Sequence, residues 1–178
     1  YEFLCRSVIT APTLADALER SARFLRLVLP DLAVTLDRDR GEARLRIVET
    51  RPLYIGRVFA FEWLLRLLHG LSSWLVGMRI MLDAVAFPYP RPAHADDYAL
   101  IYTANSTFSD DSGGGALVAT FAANLLDLPI RRDEAALKSF LVGAPGKLTL
   151  LYRRDREMAL RVHNSLRDAL PEAKPLAE

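Results

Sequence analysis

Apolar residues recur at spacings of three and four from Leu14 through Leu18, Ala22 and Leu25 to Leu29, while Asp16, Glu19, Arg20, Arg23 and Arg26 take the other side. That period predicts an amphipathic helix with one buried face. Thr13 stands where a side-chain cap is needed, Asp16 complements the exposed first-turn N–H groups, and Pro30 stops the run. Before it, Tyr1–Ile9 is apolar but short, and reads as a helix end. After Pro30 the period changes to two. Leu32, Val34 and Leu36 alternate with Ala33, Thr35 and Asp37, and beyond the charged turn Arg38–Gly41, Ala43, Leu45 and Ile47 alternate with Arg44 and Arg46. A β-hairpin with one face on the core is expected, its arginines on the solvated face.

The stretch Arg57–Val76, RVFAFEWLLRLLHGLSSWLV, differs from both patterns. On a helical wheel Glu62, Arg66, His69 and Ser73 fall on one narrow seam, while Phe59, Phe61, Trp63, Leu64, Leu65, Leu67, Leu68, Leu71, Trp74 and Leu75 cover the rest. A helix apolar around most of its circumference is buried on more than one side. Its seam then faces solvent, a partner subunit or a ligand, and in the last case Glu62, Arg66 and His69 would orient a molecule walled by Trp63, Trp74, Tyr98, Tyr102 and Phe108.

Downstream, Arg79–Phe87 is apolar on both sides except at Asp83, as an inner strand would be, and Pro88, Pro90 and Pro92 end it. A short helix follows, with Asp96 and Asp97 in its first turn and Tyr98, Ile101 and Tyr102 on its inner face. Ser106–Phe108 and Ala116–Phe121 read as two strands joined by the glycine-rich Ser109–Gly115 tip. Asn124–Pro129 is loop-like, Asp133 caps a helix from Glu134 to Val142, and Gly143–Gly146 terminates it. A last helix is expected from Arg154 to Leu170, with Met158, Ala159, Val162, Leu166 and Ala169 on one side. The sum is an α+β domain, an antiparallel or mixed sheet packed by helices around a central buried helix. Residues 1–153 form it, and 154–178 form a helix and linker.

Composition narrows the function classes. Apolar residues make up 51 % of 178, yet the longest uncharged apolar run, Leu67–Met78, is too short to span a bilayer. A net charge of +1 gives no chain-wide nucleic-acid footprint, and the single Cys5 fits a reducing, cytoplasmic setting. His69, His94 and His163 are scattered, so no metal site is expected. Gly146-Lys147 lacks both the earlier glycine and the hydroxyl of a phosphate loop, since Leu141 and Leu148 stand there, and no cofactor is expected. Serine, histidine and carboxylates occur without a nucleophile arrangement; Glu62 with His69 is the sole local acid–base pair an enzyme could use.

Thr13-Leu14-Ala15-Asp16-Ala17-Leu18, then Arg23-Phe24 and Pro30-Asp31-Leu32, resembles the entry of the arabinose-binding-like effector domain of AraC-type transcription regulators. Phe61-Glu62, Val85-x-Phe87-x-x-Pro90 with Tyr98 after it, Phe108 and Leu125…Pro129 continue the resemblance in order. Leu170–Glu178 is similar to the linker entering that family's helix-turn-helix domain, with Ala173 where glycine is usual. The resemblance implies a homodimeric regulator that senses a small-molecule effector and binds promoter DNA only through a C-terminal helix-turn-helix domain outside this sequence. The chain opens at Tyr1 and is read as a piece of something longer. The cupin-like barrel of the family's namesake needs more strands than this pattern offers, so no sugar-binding residues carry over. The apolar interior points to an apolar or amphipathic effector.

Overall fold

A computed structural model describes residues 1–109 and 115–144; the expected helix at 154–170, the linker and the glycine-rich tip 110–114 lie outside the described residues. The described elements run α1 (Glu2–Val8), α2 (Leu14–Val28), β1 (Leu32–Asp39), β2 (Glu42–Glu49), α3 (Arg57–Val76), β3 (Ala84–Phe87), α4 (Tyr98–Ile101), β4 (Ser106–Phe108), β5 (Ala116–Ala122) and α5 (Glu134–Leu141). Short 3₁₀ turns at Ala95–Asp97 and Ala123–Asp127 complete the order. The fold is α+β, its five described strands forming an open mixed sheet that does not close into a barrel.

Local chemistry accounts for the helix ends. The Thr13 hydroxyl accepts from the Asp16 N–H at the start of α2, and Asp133 accepts from Ala136 N–H at 2.8 Å at the start of α5. The chain leaves α3 through Gly77 at φ +74°, in the left-handed region, and Gly77 and Met78 donate back to the carbonyls of Trp74 and Ser73. Residues beyond β5 bond to the same end of α3: Arg131 N–H donates to Leu75 O and Arg132 Nε to Trp74 O, each at 2.8 Å.

The sheet order is β1-β2-β5-β3-β4. Register aligns Val34, Ile47 and Leu117 in one inward row and Leu36, Leu45, Ala119 and Val85 in the next. These rows meet α2 and α3 in one core whose most buried members include Leu14, Phe61, Leu65, Leu68 and Phe87. The opposite row, Thr35, Arg46, Val118 and Ala86, lies on the outer face, where Arg46 is exposed.

Two expectations are corrected. The strands Ser106–Phe108 and Ala116–Phe121 do not form a hairpin: β3 lies between them, antiparallel to β5 and parallel to β4. A parallel pair needs a crossover, and Pro88–Asn105 supplies it, so the proline-rich segment is a strap carried over the end of α3. The expected strand Arg79–Phe87 shortens to Ala84–Phe87. Over 78–83 the chain alternates, with Ile80 and Leu82 buried and Met78 and Met81 exposed, but its Ile80 backbone groups bond to α3 side chains instead of a ladder.

Candidate functional site

The seam of α3 is covered by the chain's own residues 78–102. Near the helix N-terminus, Glu62 Oε1 accepts hydrogen bonds from Tyr98 Oη and from His94 Nε2, the latter at 2.8 Å. Tyr102 Oη donates to the Glu62 backbone carbonyl at 3.2 Å. Tyr98 sits against Phe87, Tyr102 and Phe108, with centroids 4.8–5.3 Å away, and Tyr89 reaches its hydroxyl at 3.3 Å. Burial, reinforced by the Glu62 charge, raises the Tyr98 and Tyr102 phenols well above the ordinary tyrosine value. Both therefore stay neutral donors to Glu62.

Two turns on, His69 Nε2 bonds Ile80 O at 2.7 Å, and Ser73 Oγ accepts from Ile80 N–H at 3.2 Å. Both backbone polar groups of Ile80 are thus held by the seam. Because Ile80 O can only accept, Nε2 carries the proton and the imidazole is a donor there. Burial pushes the His69 pKa down, with the Arg79 and Arg66 charges acting in the same direction against the Ile80 bond. Beside it lies a cavity of about 20 Å³. Leu65, His69 and Ser72 of α3 form one wall, Leu18 of α2 another, Leu45, Ala119 and Phe121 of the sheet the floor, and Ile80 and Leu82 the cover. That volume has room for about one water molecule, whereas small-molecule sites begin near ~300 Å³.

A third polar group anchors the N-terminal end of α3. Arg57 meets Glu49 of β2 through Nε at 2.8 Å and Nη2 at 2.6 Å, and its Nη1 donates to Pro88 O at the start of the strap. Burial alone would raise the Glu49 carboxyl, but the Arg57 bonds and the Leu53 N–H outweigh it and hold the pKa below the usual range.

The structure therefore gathers Glu62, Tyr98, Tyr102 and Phe108 into one cluster and places His69 at the cavity. Arg66 sits on the seam between them, close enough for its charge to act on both Tyr102 and His69. Trp63 faces outward, 40 % exposed, and Trp74 stacks on Phe140 at 4.2 Å beneath the Arg132 guanidinium. Glu62 pairs with His94 and not with His69. Sequence reasoning missed His94, Tyr89, Ile80 and the Arg57–Glu49 pair, since no period links the strap to the helix it crosses.

Residues 1–130 match the family model described as the arabinose-binding domain of AraC transcription regulators, N-terminal. The chain belongs to that family. An ornithine utilization regulator of Pseudomonas aeruginosa is 33 % identical over 102 residues, 57 % of this chain and 30 % of that relative. The match thus spans less than a third of the relative's length. The family is one of ligand-sensing regulatory domains. Among the described residues no helix is long and apolar enough to cross a membrane.

Proposed function

We propose that this chain is the effector-sensing and dimerising unit of a cytoplasmic AraC-type regulator, in which a small molecule binds along the α3 seam. The observation that carries the reading is the cover over that seam: residues 78–82 and 88–102, on either side of β3, are held to α3 by a few polar bonds, and Ile80 and Leu82 close an apolar cavity. A ligand that replaces part of the cover selects a different arrangement of the segment and of α3. Glu62, Arg66, His69, Tyr98, Tyr102 and Phe108 would meet or orient it, with Trp63 and Trp74 on the helix at either end. The signal would leave through the C-terminal end of α3, where Arg131 and Arg132 bond its carbonyls directly before α5, and through 154–170 to a helix-turn-helix domain that holds promoter DNA. Thermal-shift screening against small metabolites tests this. Because a relative is named for ornithine utilization, amino-acid catabolites belong in the screen beside apolar acids and alcohols. Stabilisation by at least one class is expected; none from any class would overturn the reading.

A second reading, an oligomerisation module without ligand, draws on a different surface. Phe59 and Trp63, four apart on α3, are 67 % and 40 % exposed, and Tyr54 and Ile55, just before the helix, are 92 % and 93 % exposed. Such an exposed apolar stripe suits a two-fold contact with a second copy. Sedimentation equilibrium of the chain and of Phe59→Ser tests this face: a concentration-dependent dimer lost in the variant supports it, and a monomer at all concentrations contradicts it.

A further inference from the structure

We propose that residues 154–170 of this chain form a helix that docks on the outer face of the sheet, over β5, β3 and β4. This docking holds whether or not the α3 seam takes an effector.

The outer face consists of two unlike surfaces side by side. On β1 and β2 it carries Thr35, Asp37, Arg44 and Arg46, with Arg44 paired to Glu42 at 2.5 Å. Register continues these rows onto Val118 and Thr120 of β5, Ala84 and Ala86 of β3 and Thr107 of β4, and sets Ala116 beside Val48. No side chain on the β5, β3 and β4 part is charged. A sheet face turned to water alternates apolar-in with polar-out, as β1 and β2 do and as β5 and β3 do not. Yet Ala84, Ala86, Ala116 and Val118 neither join the core nor pack against it, and Ala86 and Thr107 are exposed. Side chains this small leave a flat apolar surface that a helix can approach closely, as a third layer on the sheet.

Pattern, reach and charge select the occupant. Residues 154–170 lie outside the described residues; on helical spacing their Met158, Ala159, Val162, Leu166 and Ala169 share one stripe. Such a helix is about 25 Å long, and the strip from β2 to β4 is about 15 Å wide, so one stripe covers it. The chain arrives from α5, whose Phe140 stacks on Trp74 of α3, on the helix side of the sheet. Residues 145–153 extend up to about 30 Å, well beyond the roughly 10–12 Å diameter of a helix that they must pass. Arg46 stands directly beside Val118 in register, is exposed, and pairs with no carboxylate among the described residues. Asp155 lies three and four positions before Met158 and Ala159, so it continues the apolar stripe, whereas Glu157 and Asp168 fall off it. With Met158 and Val162 over Val118 and Ala86, the docked helix sets Asp155 against Arg46.

The test places a nitroxide at Asn164→Cys, away from the stripe, in the 178-residue chain; Cys5, 1 % exposed, is too buried to take the label. Paramagnetic broadening is expected at the amides of Val118, Ala86 and Thr107 and not at Ile55 or Phe59. Val118→Asp, which alters the outer face and leaves the core untouched, should abolish it; Ala86→Asp serves the same purpose should the first variant fail to fold. Arg46→Glu should speed tryptic cleavage at Arg161 about threefold, the worth of one exposed ion pair, and adding Asp155→Arg should restore the parent rate. Broadening at Ile55 and Phe59 instead, or at none of these amides, would overturn the docking site. Broadening that appears only in an isotope-labelled chain mixed with a spin-labelled one would assign the face to a second copy and overturn docking within one chain. Cleavage that stays fast in the double exchange would overturn the Asp155–Arg46 pairing.

Discussion

Glu62 holds three strap residues to α3, His94 and Tyr98 through its Oε1 and Tyr102 through its backbone carbonyl. With a side chain 22 % exposed, it is too sheltered for the pairing to be dismissed as a surface contact and too wet for the full strength of a buried one. Glu62→Gln should cost about 1 kcal/mol, a fall of roughly 2–4 °C in a thermal melt, and a double-mutant cycle with His94→Ala should recover part of it as coupling. The Arg57–Glu49 pair is more buried, at 19 % and 7 % exposed. Arg57→Met leaves that carboxylate sheltered without its cation, and a loss of about 3 kcal/mol by denaturant titration is expected. Since the folded chain holds the Glu49 pKa below its unfolded value, its contribution is complete above the unfolded pKa and disappears as pH falls through the folded one. His69 acts the same way in a different window. Its folded pKa is depressed, so below about 6.5 the unfolded chain takes a proton that the folded chain refuses, and stability declines as pH drops toward the folded value. Stability measured against pH should show a shallower slope there in His69→Phe than in the parent; identical slopes would contradict the burial of that ring.

Among the elements, those with a strong period were legible and those defined by partners were not. The bounds of α3 and the caps of α2 and α5 coincide with the sequence reading because Gly77, Thr13 and Asp133 impose them locally. The wheel likewise put Glu62, Arg66, His69 and Ser73 on one seam. It could not show that the seam faces the chain's own strap, since that depends on Pro88–Asn105 crossing from β3 to a parallel β4. A three-residue strand beside a Gly/Ser/Asp-rich stretch looks like half a hairpin, and pairing order leaves no mark on hydrophobic period. The strap's path depends on close packing at its start: a Cβ on Gly115 would lie 2.8 Å from Pro88 Cβ. Gly115→Ala should therefore displace Pro88 or the entry to β5 at a cost of about 1–2 kcal/mol, read by thermal melting, with the Pro88–Arg57 contact weakened.

At the scale of the whole molecule, an open sheet with helices on one face leaves α3 enclosed along most of its length but covered at its seam by an irregular segment. Residues 1–130 place this arrangement in the AraC-regulator family, and the same segment separates an apolar cavity from solvent. In the proposed mechanism an effector enters beneath residues 78–82, beside the cavity, and acts on the α3 seam. The most direct measurement is amide and methyl chemical-shift mapping of the labelled chain during titration with whichever metabolite stabilises it in the thermal screen. The largest changes are expected at His69, Ser72, Ile80, Leu82 and Phe121, with smaller ones reaching Arg131 and Arg132. Changes confined to Tyr54, Ile55 and Phe59, or scattered over the outer sheet face around Arg46, would contradict that mechanism.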